Sequence, residues 1–235
     1  MINYIRKIGL YIAFFLFILI KLKTIKIMSK TGLDLGRIEI NSIGCDNMHY
    51  ILASASPRRQ ELLTKIVEDF DVIVSDFDED SVKFNGDVEE YVKTLAKGKA
   101  LDVASKVKED AIIIAADTIV VIDGKILGKP KNEKDAYDML NMLSDNVHRV
   151  YSGIAVINTE KKLMENKAVF TEVKFSKLTH EDIINYINSK EPLDKAGAYG
   201  IQGLGALFVE KINGCYYNVV GLPLNLLNNI IKEII

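Results

Sequence analysis

Apolar positions along this chain recur at two spacings. Runs that are apolar throughout, or at every second residue, read as strands. Runs with apolar residues three and four apart read as helices. Residues 50–53 form a short apolar strand. Ser54-Ala55-Ser56-Pro57 turns it into a helix over about 57–67. Ser56 is a good N-cap there, Pro57 suits the first helical position, and Leu62, Leu63 and Ile66 supply the buried stripe. Residues 70–74 read as a second strand, followed by an acidic loop with Asp76, Asp78, Glu79 and Asp80. Residues 88–107 have the spacing of a long amphipathic helix with Val92, Leu95, Ala96, Leu101 and Ala104 inward. Residues 112–116 are continuously apolar, the mark of a central strand, and Asp117-Thr118 is expected to end it. Residues 119–122 then pair with 125–127 across Asp123-Gly124, a strong hairpin signal.

The second half continues the alternation. Asn132 caps a helix through Leu143, with Ala136, Met139, Leu140 and Leu143 at helical spacing. Residues 150–157 and 168–175 are strands, the latter alternating at Val169, Thr171, Val173 and Phe175. Thr179, with Asp182 three residues on, opens a helix to about Asn188. A glycine-rich segment spans 197–205. Residues 206–212 and 215–220 are expected to form a hairpin over Asn213-Gly214, and 222–235 a closing helix. Strands and helices alternate, so the class is α/β with a mixed sheet flanked by helices.

Composition narrows the function classes. With 235 residues, 49% hydrophobic and 26% charged, the chain can bury a full core, as one domain of two lobes or as two domains. A net charge of -2 provides no global field for nucleic acid or an anionic membrane, so an anion site must be built locally. Cys45 and Cys215 lie in no CxxC or Cys/His metal pattern and read as free thiols in a reducing cytosol. Residues 8–20 form an apolar run with basic flanks, shorter than the roughly 20 residues of a spanning helix. It reads as a membrane anchor, a targeting leader, or upstream sequence preceding a true start at Met48. We favour the last, with residues 1–47 a non-core leader and 48–235 the folded domain.

Four constellations could carry chemistry. In Ser54-Ala55-Ser56-Pro57-Arg58-Arg59, two arginines oppose the dipole of the helix they begin. Either phosphate oxygens meet the guanidiniums and hydroxyls there, or the arginines point into solvent. Asp117, after an apolar strand, is a base or metal ligand, or else a turn aspartate. Lys129, between Gly128 and Pro130, is a fixed cation or an ordinary surface lysine. Residues 194–203, with three glycines, form neither a dinucleotide fingerprint nor a P-loop, and line a ligand or merely connect.

Taken in order, these motifs resemble those of the Maf family. Leu52-Ala53-Ser54-Ala55-Ser56-Pro57-Arg58-Arg59 is similar to its opening signature. Ala115-Ala116-Asp117-Thr118, Gly128-Lys129-Pro130, Ser152-Gly153 and Gly221-Leu222-Pro223 match in the same order, so the likeness spans 48–235. Lys195-Ala196-Gly197-Ala198-Tyr199-Gly200-Ile201-Gln202-Gly203 is similar to the branch cleaving dTTP and UTP. The resemblance implies hydrolysis between the α and β phosphates with a divalent metal, Mg²⁺ or Mn²⁺. It also implies an elongated two-lobed α/β fold around a deep cleft, shared with inosine triphosphate pyrophosphatases, and often a homodimer. By motif, Asp117 matches the proton acceptor and Arg58, Thr118 and Gln202 match positions of substrate choice. Ser54, Arg58, Arg59, Lys99 and Lys129 match phosphate-binding positions, and Glu79 joins Asp117 at the metal. The implied partner is a nucleoside triphosphate in the cytoplasm, with no nucleic acid and no membrane. The alternative is a nucleotide-binding regulator of septum formation without turnover.

Overall fold

The computed structural model describes residues 48–235. The apolar run at 8–20 and Cys45 lie outside the described residues. The described chain builds one seven-stranded mixed sheet in the order β2-β1-β3-β5-β6-β7, with β4 also on β3. Its strands are β1 (His49–Leu52), β2 (Asp71–Val72), β3 (Ala111–Ile122), β4 (Lys125–Leu127), β5 (Val147–Asn158), β6 (Leu163–Phe175) and β7 (Val209–Asn213). The helices are α1 (Pro57–Leu63), α2 (Val88–Lys106), α3 (Glu133–Leu143), α4 (His180–Asn188), α5 (Tyr216–Val220) and α6 (Leu224–Ile234). None of the described helices is long and apolar enough to cross a membrane.

Strand β3 organises the molecule, and its two faces divide the core by the period-two rule. Ile112, Ile114 and Ala116 pack with α1 and α6, and on the same face Val120 and Ile122 pack with α3 and α4. Thr118 stands between these two clusters. The opposite face places Ile113 and Ala115 against the middle of α2, and Ile119 and Val121 against its start, with Asp117 between.

The expectation that Asp117-Thr118 ends a strand is corrected. β3 runs unbroken to Ile122, because β5 pairs with it antiparallel from Ile112 to Val121, setting Asp117 opposite Gly153. What stops near Asp117 is the pairing on the other edge. Parallel β1 covers β3 only to Ile114, and antiparallel β4 begins at Val120. Between them, residues 115–119 have no described strand on that side. This gap in the sheet sets the site.

Two further expectations fail for local reasons. The expected strand 215–220 is instead helix α5, Tyr216–Val220, with Cys215 before it. The chain does reverse at Gly214, but the Thr171 hydroxyl then takes the Cys215 N–H at 3.0 Å. Buried Asn218 donates to the Val150 carbonyl at 2.9 Å and to Thr171 Oγ1 at 3.0 Å, winding the segment onto β5 and β6. On α2, Leu101 is 48% exposed while Ala100 and Val103 are buried, so the inward stripe follows smaller side chains than expected. The capping predictions hold. Ser56, Asn132 and Thr179 cap α1, α3 and α4, the last through a full capping box with Asp182.

Candidate active site

A cleft of about 690 Å³ opens over the gap in the sheet. Ser54, Arg58 and Arg59 line it from the β1–α1 connection, Glu79 and Lys99 from the α2 side, and Lys129, Asp194, Lys195 and Gln202 from the far side. Thr118 lies on its floor. The sequence-predicted residues other than Asp117 therefore line one cleft, although they come from positions 54 to 202, and Asp117 stands behind Lys99.

Asp117 is 7% exposed and faces α2. The helix reaches it because its partner in the ladder is glycine. A Cβ at Gly153 would collide with the Val92 carbonyl, so α2 can lie directly on the sheet there. Two turns on from Val92, Lys99 Nζ donates to Asp117 Oδ1 at 2.6 Å and pairs with Glu79 Oε1 at 3.0 Å. Glu79 is carried to this point by a pinned loop. Asp102 of α2 accepts from the Ser75 hydroxyl at 2.9 Å and the Asp76 N–H at 2.8 Å, and Phe77 packs on Gly98, where a Cβ would strike its ring. Two carboxylates thus share one ammonium.

Arg59 does different work from Arg58. Its Nε donates to the Gly221 carbonyl at 2.9 Å, Nη2 to Thr118 Oγ1 at 3.1 Å and Nη1 to Ser54 Oγ at 3.3 Å. The Thr118 and Ser152 hydroxyls share a further 2.8 Å hydrogen bond. Three of the five guanidinium N–H groups are therefore held by protein, leaving two for a ligand. Burial pushes the Arg59 pKa down, and Asp117 opposes that shift. Thr118, matched by resemblance to substrate choice, has its hydroxyl engaged in this network. Arg58 instead crosses the cleft to Asp194 Oδ2 at 3.3 Å, an ion pair open to solvent.

Lys129 and Gln202 are exposed and make no hydrogen bond or ion pair with a described residue. Their loops are tied together, since the Gly197 N–H donates to the Gly128 carbonyl at 3.0 Å. Lys195, part of the 194–203 constellation, also lines the cleft, as does Glu191, which sequence reasoning overlooked. Glu191 shows no periodicity or motif spacing of its own. A glutamate next to proline just before a glycine-rich segment was the available signal.

The family described as Maf-like protein matches residues 49–234. The chain belongs to the Maf family. A dTTP/UTP pyrophosphatase of Clostridium botulinum (strain Eklund 17B / Type B) is 60% identical over 188 residues, 80% of this chain and 100% of that protein. One from Clostridium novyi (strain NT) is 63% identical over 186 residues, 79% of this chain and 97% of that protein. Among solved structures, a HAM1 protein from Coxiella burnetii aligns with 79% of this chain and 99% of its own, at 14% identity and a TM-score of 0.43. The residues that line the cleft all fall within the Maf-matching region.

Proposed function

We propose that this member of the Maf family is a nucleoside triphosphate pyrophosphatase that splits dTTP and UTP between the α and β phosphates. The observation that carries the reading is Asp117, a nearly buried carboxylate where one edge of β3 is unpaired, bonded to Lys99 of a cleft whose walls also carry Arg58, Arg59, Lys129 and Lys195. The names of its relatives support the choice of substrates.

In this reading Arg58 and Lys129 take phosphate oxygens, together with the two unspent N–H groups of Arg59 and the Ser54 hydroxyl. Arg58 must leave Asp194 to do so. Lys99 fixes Asp117 through Oδ1, so Oδ2 receives the proton of the attacking water. Gln202 carries a donor and an acceptor on one amide, which matches the imide edge of uracil or thymine. Cytosine presents a different edge.

A divalent cation fits the donor set. Among the described residues no group of three or more His, Cys, Asp or Glu side chains gathers at one point. Mg²⁺ needs only one or two protein carboxylates, with water and phosphate oxygens completing its shell. Glu79 and Asp117, which converge on Lys99, would hold it. When bound, the cation would polarise the phosphates and make water more acidic. We place the reaction in the cytoplasm, where a thiol such as Cys215 stays reduced.

The test is to incubate purified protein with each common nucleoside triphosphate and Mg²⁺ or Mn²⁺, measuring pyrophosphate and orthophosphate separately. Pyrophosphate from UTP and dTTP is expected. Orthophosphate as the sole initial product would place cleavage at another bond and end the reading. Binding without any product would leave the regulator.

A further inference from the structure

The segment that presents Gln202 to the cleft has little to hold it in place. Gly200, Gly203 and Gly205 fall within six residues, and such a stretch loses much backbone entropy when ordered. Its order comes from outside. Glu191 Oε2 accepts the Leu204 N–H at 2.9 Å, and Oε1 accepts the Gly205 N–H at 3.3 Å. The Tyr186 hydroxyl donates to Glu191 Oε1 at 2.8 Å and accepts the Gly200 N–H at 3.1 Å. One carboxylate and one phenol thereby bind the loop on both sides of Gln202.

The fit is close as well as polar. A Cβ at Gly203 would collide with the Glu191 carboxylate, and one at Gly205 would lie 2.8 Å from both the Gly200 carbonyl and the Tyr186 hydroxyl. Glu191 is itself fixed, because Lys195 Nζ donates to its backbone carbonyl at 2.6 Å. Burial alone would raise the Glu191 carboxyl, but the Leu204 N–H, the Tyr186 hydroxyl and the Gly205 N–H together bring it below its ordinary value.

Resting on the reading of this cleft as a uridine- and thymidine-nucleotide site, we propose that Glu191, acting with Tyr186, is a positioning residue for base selection. It holds the loop so that the Gln202 amide meets the base in one orientation. It touches no substrate and takes no part in the hydrolytic step. Its contribution should show in which base is preferred.

Glu191→Gln keeps the length and shape of the side chain. It places an amide N–H₂ against one of the N–H groups that the carboxylate now accepts, so one anchor becomes a repulsion. We expect the ratio of kcat/KM for UTP over CTP to fall about tenfold, through a raised KM for UTP with kcat nearly kept. Tyr186→Phe removes only a hydroxyl and should lower the ratio about threefold. Lost stability alone would reduce both substrates equally and leave the ratio where it was. Thermal melts by circular dichroism establish that each variant folds, and Tyr186→Phe carries the test if Glu191→Gln does not. The same ratio is read by calorimetric binding of the α,β-methylene analogues of UTP and CTP, which needs no turnover. A wild-type protein that prefers UTP, with both folded variants keeping the full preference, overturns this inference alone. A wild-type protein with no preference in either assay overturns the reading of the cleft, and this inference with it.

Discussion

The two walls of the cleft are built in opposite ways. On the β1–α1 wall the side chains around Arg59 are bonded to one another, while Arg58 reaches across to Asp194. Arg59 joins Ser54, Thr118 and Gly221, and Thr118 joins Ser152, so four parts of the chain meet around one guanidinium. On the far wall, Lys129 and Gln202 project without partners among the described residues, and the bonding lies behind them, from Glu191 and Tyr186 to backbone amides. A wall whose own side chains are locked can be rigid only for a fixed shape, such as a triphosphate. A wall held from behind leaves its presented groups free for a ligand. In the proposed reading, the first wall together with Lys129 handles the triphosphate that all nucleotide substrates share, and the Gln202 segment of the second handles the base that distinguishes them.

The sharpest break of this contrast lies between the walls, at Asp117. Asp117→Asn keeps the shape but removes the base, and loss of a general base costs about 10²–10⁴ in rate. The expected result is a fall of that size in kcat for every substrate alike, with a circular dichroism melt close to wild type. Turnover near normal in a folded variant would remove Asp117 from the mechanism. Next in size is Arg59. Arg59→Ala leaves the Ser54 and Thr118 hydroxyls and the Gly221 carbonyl without their shared donor. Hydrogen bonds from a charged group are worth about 1.5–3 kcal/mol net. Urea unfolding should show a loss of about that size, together with a lower kcat/KM. Unchanged stability would mean that the first wall does not depend on its central guanidinium.

The legibility of the two walls also differed. Ser54 to Arg59 form a contiguous segment whose proline, N-cap and paired arginines mark it without any structure. Asp117 was found for a reason that proved incomplete. The apolar run before it pointed to a central strand, and the strand is central, but it does not end there. Period and composition describe one strand at a time, whereas the site arises because β1 and β4 cover different lengths of β3. Pairing length is a property of three segments, so it could not be read from one. The same limit explains α5. Asn213-Gly214 does turn the chain, but the destination is decided by Thr171, more than forty residues earlier, through its bonds to Cys215 and Asn218. Glu191 was missed because a carboxylate that accepts backbone amides leaves no pattern in its own neighbourhood.

A pH experiment sharpens the contrast from the far wall. His148 is 1% exposed, bonds the Tyr199 hydroxyl through Nε2 at 2.8 Å, and has no partner at Nδ1 among the described residues. Tyr199 lines the cleft on this side. Burial lowers the His148 pKa from 6.5 to about 4. The unfolded chain takes up a proton at this histidine below pH 6.5, whereas the folded chain does so only near 4. Stability therefore falls as pH drops through that window. Between pH 7.5 and 5.0 the loss from this one group is about 2 kcal/mol. Urea unfolding at the two pH values measures the whole change, and His148→Phe should reduce it by about that amount. An equal pH dependence in the variant would show that His148 is not the source of the acid-side loss of stability.

The smallest effect separates the walls most cleanly. Gln202 is exposed and has no partner among the described residues, so its removal should scarcely touch stability, within about 0.5 kcal/mol in urea unfolding. The consequence should fall on the base. In Gln202→Ala the imide edge of uracil loses its matched donor and acceptor, and an unpaired buried polar group costs about 1–3 kcal/mol. The ratio of kcat/KM for UTP over CTP should shrink about tenfold, while hydrolysis of CTP itself changes little. Arg58→Ala makes the comparison, because a residue serving the shared triphosphate should weaken UTP and CTP together and leave the ratio alone. If Gln202→Ala keeps the ratio, the base is read by main-chain groups of the 197–205 segment. If Arg58→Ala changes it, the division of labour between the walls fails, because a side chain on the phosphate side would then also be sensing the base.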